Sequence, residues 1–121
     1  EPAGRSSESS LTCRTAPFED GQCPESSRAA KRNIHYIAPN ERQQLAKEVL
    51  DVKLASYRYR DPAKPGQKLG FILEDHPTAS FSGDGRVDLY AYMSAVVALV
   101  QEQQSEIDRL TKQVNALQAV R

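Results

Sequence analysis

The tightest constraint on this chain lies in its last third, residues 87–117, which the pattern predicts to be one long helix ending in a heptad seam. Apolar side chains recur at Val100, Ile107 and Val114, and again at Leu110 and Leu117. That is the 3.5-residue spacing that keeps one line of side chains turned toward a partner helix. Gln103 is the single polar residue on the line. Glu102, Glu106, Asp108, Arg109 and Lys112 fall between the seam positions and make a solvated surface with no second apolar stripe. A lone helix of this kind is marginal in water. At about 1.5 Å per residue it also outruns the short chain available to cover it. The expectation is therefore an oligomer.

What precedes the helix is small. A chain of 121 residues bounds a single domain with an irregular leader. The composition divides it into a leader or linker over residues 1–25, a head over 26–88 and a coiled-coil helix over 89–121. A head of that size is marginal without disulfides, metal or association, which argues for an oligomer a second time. The 16 basic and 16 acidic residues balance, so no global field favours nucleic acid or an acidic membrane. No apolar run approaches the roughly eighteen residues of a membrane span, residues 91–100 being too short. The first residue is Glu and no signal-peptide core follows, which reads as a piece of a longer protein. Cys13 and Cys23 are the only cysteines. Without a CxxC or a matching His pair they imply no metal site, and a local disulfide and two reduced thiols both stay open.

The leader is rich in Ser, Pro, Gly and Glu, with little beyond Leu11 and Phe18 that is bulky and apolar. Asn40 followed by Gln43 is a capping-box signal, and Leu45, Ala46, Val49 and Leu50 then form one face of a short helix to about Asp51. Residues 54–60 read as a strand with Tyr57 and Tyr59 on one face and Arg58 and Arg60 on the other. A six-residue turn over 61–66 leads to a second strand over 68–74. A shorter hairpin is expected from 78–81 and Arg86-Val87, around the turn Ser82-Gly83-Asp84-Gly85. Asp88 then caps the long helix. The predicted fold class is α+β: a small head with β-hairpins and a short helix, feeding a long C-terminal helix.

These elements, in order, resemble the intramolecular chaperone of endosialidase type, the peptidase S74 family. The residues that carry the resemblance are Ser26-Ser27-Arg28-Ala29-Ala30-Lys31-Arg32-Asn33-Ile34, Leu54-Ala55-Ser56-Tyr57-Arg58-Tyr59, Leu69-Gly70-Phe71-Ile72, Val87-Asp88-Leu89 and the heptad helix from Gln101-Glu102. The likeness covers residues 26–117. It implies a C-terminal autoprocessing domain that forms a parallel homotrimer and assists folding of an upstream fibrous domain of the same polypeptide. Such domains end phage tailspikes and tail fibres, bacterial surface fibres and a membrane-bound eukaryotic transcription factor. It therefore favours a virion fibre or a secreted or cell-surface fibre as the setting.

The resemblance further implies a Ser/Lys dyad at Ser26 and Lys31, acting once as a serine endopeptidase on the bond between Glu25 and Ser26. The chemistry is sound in principle, because a hydroxyl becomes a nucleophile when a nearby amine takes its proton. The family usually places Asp directly after the serine, where this chain has Ser27. A non-cleaving trimerisation or interaction cap on a fibre is accordingly the alternative. The seam itself, with β-branched residues at Val100, Ile107 and Val114 and leucines at Leu110 and Leu117, is the pattern of two-stranded coils. An unrelated coiled-coil dimer, serving as a regulatory or nucleic-acid adaptor, is the third reading. The resemblance favours three chains, with Gln103 as a polar layer that fixes register.

His35 and His76 lack metal-ligand partners at useful spacing and read as structural. Tyr57 and Tyr59 beside Arg58, Arg60 and Lys53 could form an RNA-stacking face, but aromatic residues alternate in any half-covered strand, so no nucleic-acid partner is expected. Nothing implies a cofactor.

Overall fold

Pro39 sets where regular structure begins. The computed structural model describes residues 23–120; the reading of the leader, including Cys13, falls largely outside them. The first helix, α1, runs Pro39–Leu50. Proline is pre-set for the first helical position, where its missing N–H is no loss. The residue before it, Ala38, has no side chain that can cap, and Glu41 instead reaches back to accept from the Ala38 N–H at 2.7 Å. The Asn40/Gln43 capping box expected from the sequence is thus corrected to a cap two residues earlier, at Ala38 and Glu41.

The strands are shorter than the alternation suggested. β1 is Ala55–Tyr57 and β2 is Lys68–Gly70, paired antiparallel with Ala55 opposite Gly70 and Tyr57 opposite Lys68. Residues 71–74 leave the ladder, and Leu73–Asp75 form a 3-10 turn. The second hairpin pairs β3, Ser82–Gly83, with β4, Arg86–Val87. Its turn is only Asp84-Gly85, and both have positive φ, +49° and +71°. That is the two-residue reversal that matches the twist of antiparallel strands and favours Asp-Gly. Residues 78–81 are therefore not a strand, and Ser82-Gly83 belong to one. The long helix, α2, spans Leu89–Ala119, and the Asp88 carboxylate accepts from the Ala91 N–H at 3.0 Å, the cap expected from the sequence. The fold is a small α+β arrangement of two β-hairpins and a long C-terminal helix.

By packing, the described chain falls into two units: one joins residues 23–35 to Tyr59–Pro65, the other joins Tyr36–Arg58 to residues 66–120. In the smaller unit, Asp61 Oδ1 accepts from the Ala63 N–H at 2.9 Å and Lys64 Nζ lies 5.2 Å from the Tyr59 ring centre. The larger unit holds the core. Phe81 is 1% exposed and meets Tyr92 and Phe71 with ring centres 5.0 and 5.6 Å apart. Phe71 also meets Tyr92 and, edge-on, His76. Such tilted and edge-to-face contacts add to the gain from burying the rings. Ala46 on α1 and Ala95 and Ala98 on α2 are the other buried apolar residues, and their small side chains allow the two helices to pack closely. Arg42 Nε to Glu102 Oε2 at 2.6 Å, half-buried, pins α1 to α2. Glu48 accepts from both the backbone N–H and the hydroxyl of Ser80, at 2.9 and 3.2 Å, and so ties α1 to the loop before β3.

Gly70 has a packing reason. A Cβ there would sit 3.0 Å from the Tyr57 hydroxyl and 3.2 Å from its ring edge. Gly70→Ala should displace the Tyr57 ring and destabilise the larger unit by about 1 kcal/mol, read as a lower urea midpoint. An unchanged midpoint would show that the ring moves freely.

Candidate functional site

A single 3-10 turn brings together Ser26 and Lys31, the two residues that the resemblance pairs. Arg28–Ala30 form it, with the Ala30 N–H donating to the Ser27 carbonyl and the Lys31 N–H to the Arg28 carbonyl, each at 3.1 Å. The turn carries Lys31 back toward Ser26, and Lys31 Nζ donates to Ser26 Oγ at 2.9 Å. The two residues that the resemblance paired are therefore in hydrogen-bond contact across five positions of chain. Both are exposed. In this arrangement the amine is the donor, whereas a base must accept the Ser26 proton as a neutral amine, a form that exclusion of water favours. Ser27, which stands where the family has Asp, contributes its carbonyl to the turn and no side-chain cap. Glu25, on the other side of the expected cleavage point, is exposed as well.

Upstream of the dyad, Cys23 is disulfide-bonded, so of the two redox states left open by the sequence the structure has the oxidised one.

The seam residues all lie within α2, and Val100, Gln103, Ile107, Leu110, Val114 and Leu117 are all exposed. From residue 103 to 120 every position is exposed, so among the described residues nothing covers either face of the last five turns. Met93 and Val97 are exposed too, 59% and 49%, and extend the apolar line N-terminally alongside the head. The sequence holds the signal for this extension, since Met93 stands one heptad before Val100, but neighbouring apolar residues at 95–99 blur the period there. The opposite face, through Ala95, Ala98 and Glu102, is the one α1 covers. Farther along, the Arg109 guanidinium hydrogen-bonds Glu106 and holds its carboxyl below the usual range, an exposed pair beside the seam.

His76 takes part in the packing of the larger unit. Its Nε2 accepts from the Lys53 N–H at 3.1 Å, and its carbonyl accepts from the Ser82 hydroxyl. An open cleft of about 390 Å³ lies beside it, lined by Lys47, Glu48, Lys53, Asp75 and Thr78 among others. Lys47 already pairs with Asp51 and Glu48 with Ser80. Among the described residues no cluster of His, Cys, Asp and Glu could hold a metal ion, and no helix is long and apolar enough to cross a membrane.

No protein-family model matches the chain, and no curated protein matches it.

Proposed function

We propose that this chain is a C-terminal intramolecular chaperone that associates as a parallel trimer through α2, assists folding of an upstream fibrous domain, and releases itself by cutting before Ser26. The observation that carries this reading is the 2.9 Å contact of Lys31 Nζ with Ser26 Oγ, the two residues that the resemblance to the endosialidase-type chaperone pairs. In the reaction, Ser26 Oγ attacks the carbonyl carbon of Glu25 while Lys31 takes the hydroxyl proton. The Glu25–Ser26 C–N bond breaks, the freed Ser26 nitrogen receives the proton, and the Glu25 acyl group is left as an ester on Oγ. Water then hydrolyses that ester, giving a carboxylate at Glu25 and restoring the serine. Association supplies the chaperone half: three seams that bind hold three upstream chains at high effective concentration.

The test is an intact-mass comparison of a longer chain carrying its upstream passenger with the same chain bearing Ser26→Ala. Wild type should break before residue 26 and Ser26→Ala should stay whole, a loss of at least about 10³-fold in rate for removal of a nucleophile. Wild type that stays whole under folding conditions removes the protease half. The second reading, a permanent trimerisation cap, has its own support in the exposure of Ser26 and Lys31 and in Ser27 at the family's Asp position. Under it, Ser26→Ala changes nothing and the assembly persists.

A further inference from the structure

We propose that Lys31-Arg32 is a processing site for a separate endoprotease of paired-basic specificity, which frees the head by cutting between Arg32 and Asn33. The site goes beyond the dyad and does not require it to work. Lys31-Arg32 is the one place in the chain where two basic residues adjoin. It lies in a stretch, residues 24–37, in which every position is exposed. The one regular element over those residues is the 3-10 turn Arg28–Ala30, closed by two backbone hydrogen bonds of 3.1 Å. An endoprotease has to draw several residues into extended form, and an exposed stretch with little regular structure yields to it at least cost. Lys31 is already extended, with φ −121° and ψ 154°. Asn33 has φ +55°, so the chain bends directly after Arg32, at the bond to be cut.

The placement separates release from damage. The larger unit begins at Tyr36, so a cut after Arg32 removes nothing from it. Basic residues elsewhere suit such an enzyme less: Lys47, Arg109 and Lys112 lie within helices, and Lys64 precedes Pro65. The partner is defined by its chemistry, two adjoining acidic subsites that take the Lys31 ammonium and the planar fork of Arg32. Its nucleophile attacks the Arg32 carbonyl carbon, the Arg32–Asn33 C–N bond breaks, and the Asn33 nitrogen takes a proton. Water then hydrolyses the acyl-enzyme and leaves a carboxylate on Arg32. Ser26 and Lys31 depart with the upstream piece, whereas a cut before Ser26 leaves the basic pair on the head. Self-cleavage can therefore precede this cut but cannot follow it on the head.

The experiment uses the full chain bearing Ser26→Ala, treated with a subtilisin-fold endoprotease that requires paired basic residues. The same chain with Arg32→Gln added and a synthetic peptide of residues 24–37 are treated alongside. Cutting is followed by intact mass, and the number of associated chains and the melting temperature are recorded before and after. The full chain should be cut once, after Arg32, at a rate within about tenfold of the peptide, because no global unfolding has to come first. Arg32→Gln should slow the cut at least about 10²-fold, since it leaves an acidic subsite without its partner. The product, residues 33–121, should keep the chain number and melting temperature of the uncut protein. A full chain cut more than about tenfold slower than the peptide overturns the proposal, because the fold would then guard the pair. Equal cutting of Arg32→Gln overturns it, and so does a product that melts lower or comes apart, since the cut would then be damage. None of these outcomes depends on the dyad, which Ser26→Ala removes from both full-length samples.

Discussion

Phe81→Ala should lower the urea midpoint of the larger unit by about 3 M. Truncating a buried phenylalanine removes its transfer free energy and leaves a cavity, together about 3–5 kcal/mol. The slope for a small unit is about 1 kcal/mol per M of urea. Phe81 is the largest fully buried side chain among the described residues, and it joins the loop after β2, through Phe71, to the start of α2, through Tyr92 and the capping residue Asp88, whose N–H donates to the Phe81 carbonyl at 2.9 Å. The other buried apolar residues are alanines, which cannot compensate. A head this small holds only a few kcal/mol in reserve, so the variant should be largely unfolded at 37 °C. The signal to follow is near-ultraviolet circular dichroism of the aromatic cluster, because α2 dominates the far-ultraviolet signal. Phe81→Leu, which refills much of the space, should lose about half as much. A midpoint within 0.5 M of wild type for Phe81→Ala would mean that the ring cluster is not what holds the head together.

How far the sequence reveals such a core depends on whether a feature is encoded locally. Asp88 was legible as a cap because a short acidic side chain stands at the boundary between a turn and an apolar run, and its carboxylate bonds three residues ahead. The long helix was legible because its apolar period spans several turns. The first cap was misread because Asn40 and Gln43 fit the usual side-chain types, whereas Pro39 starts the helix for a backbone reason and leaves Glu41 to bond the Ala38 N–H. Strand lengths were overestimated for a tertiary reason. Alternation through Phe71 and Leu73 continues past Gly70, but Phe71 leaves the ladder because its ring packs with Phe81 and Tyr92, residues distant in sequence. The dyad positions came only from resemblance. Serine and lysine five residues apart carry no signal until a 3-10 turn between them brings Nζ to Oγ. The disulfide at Cys23 was equally out of reach, since two cysteines ten positions apart are compatible with either redox state.

The second large effect is expected at the seam, where Ile107→Asp should turn the assembled protein into a monomer with a frayed α2. Among the described residues none covers 103–120, all of which are exposed, and under the proposed trimer their helical state draws on packing between copies. In a three-stranded rod the three Ile107 side chains meet in one layer, and each buried isoleucine contributes about 1.5–3 kcal/mol to association. The replacement removes that burial and brings three carboxylates to one axis, where like charges repel and desolvation is costly. A loss of at least about 5 kcal/mol corresponds to more than 10³-fold in the association constant. Sedimentation equilibrium should then report three chains for wild type and one for the variant, and the far-ultraviolet helical signal should fall as the last turns melt. Ser105→Asp, exposed and off the seam, should leave both readings unchanged. Gln103→Leu should move the other way, raising the melting temperature as an apolar layer replaces a polar one. A wild-type mass of two chains would return the seam to the two-stranded pattern that its Val/Ile and Leu positions favour. A monomeric wild type with residues 103–120 fully helical would remove association from the account altogether, and with it the means by which a C-terminal rod could gather three upstream chains.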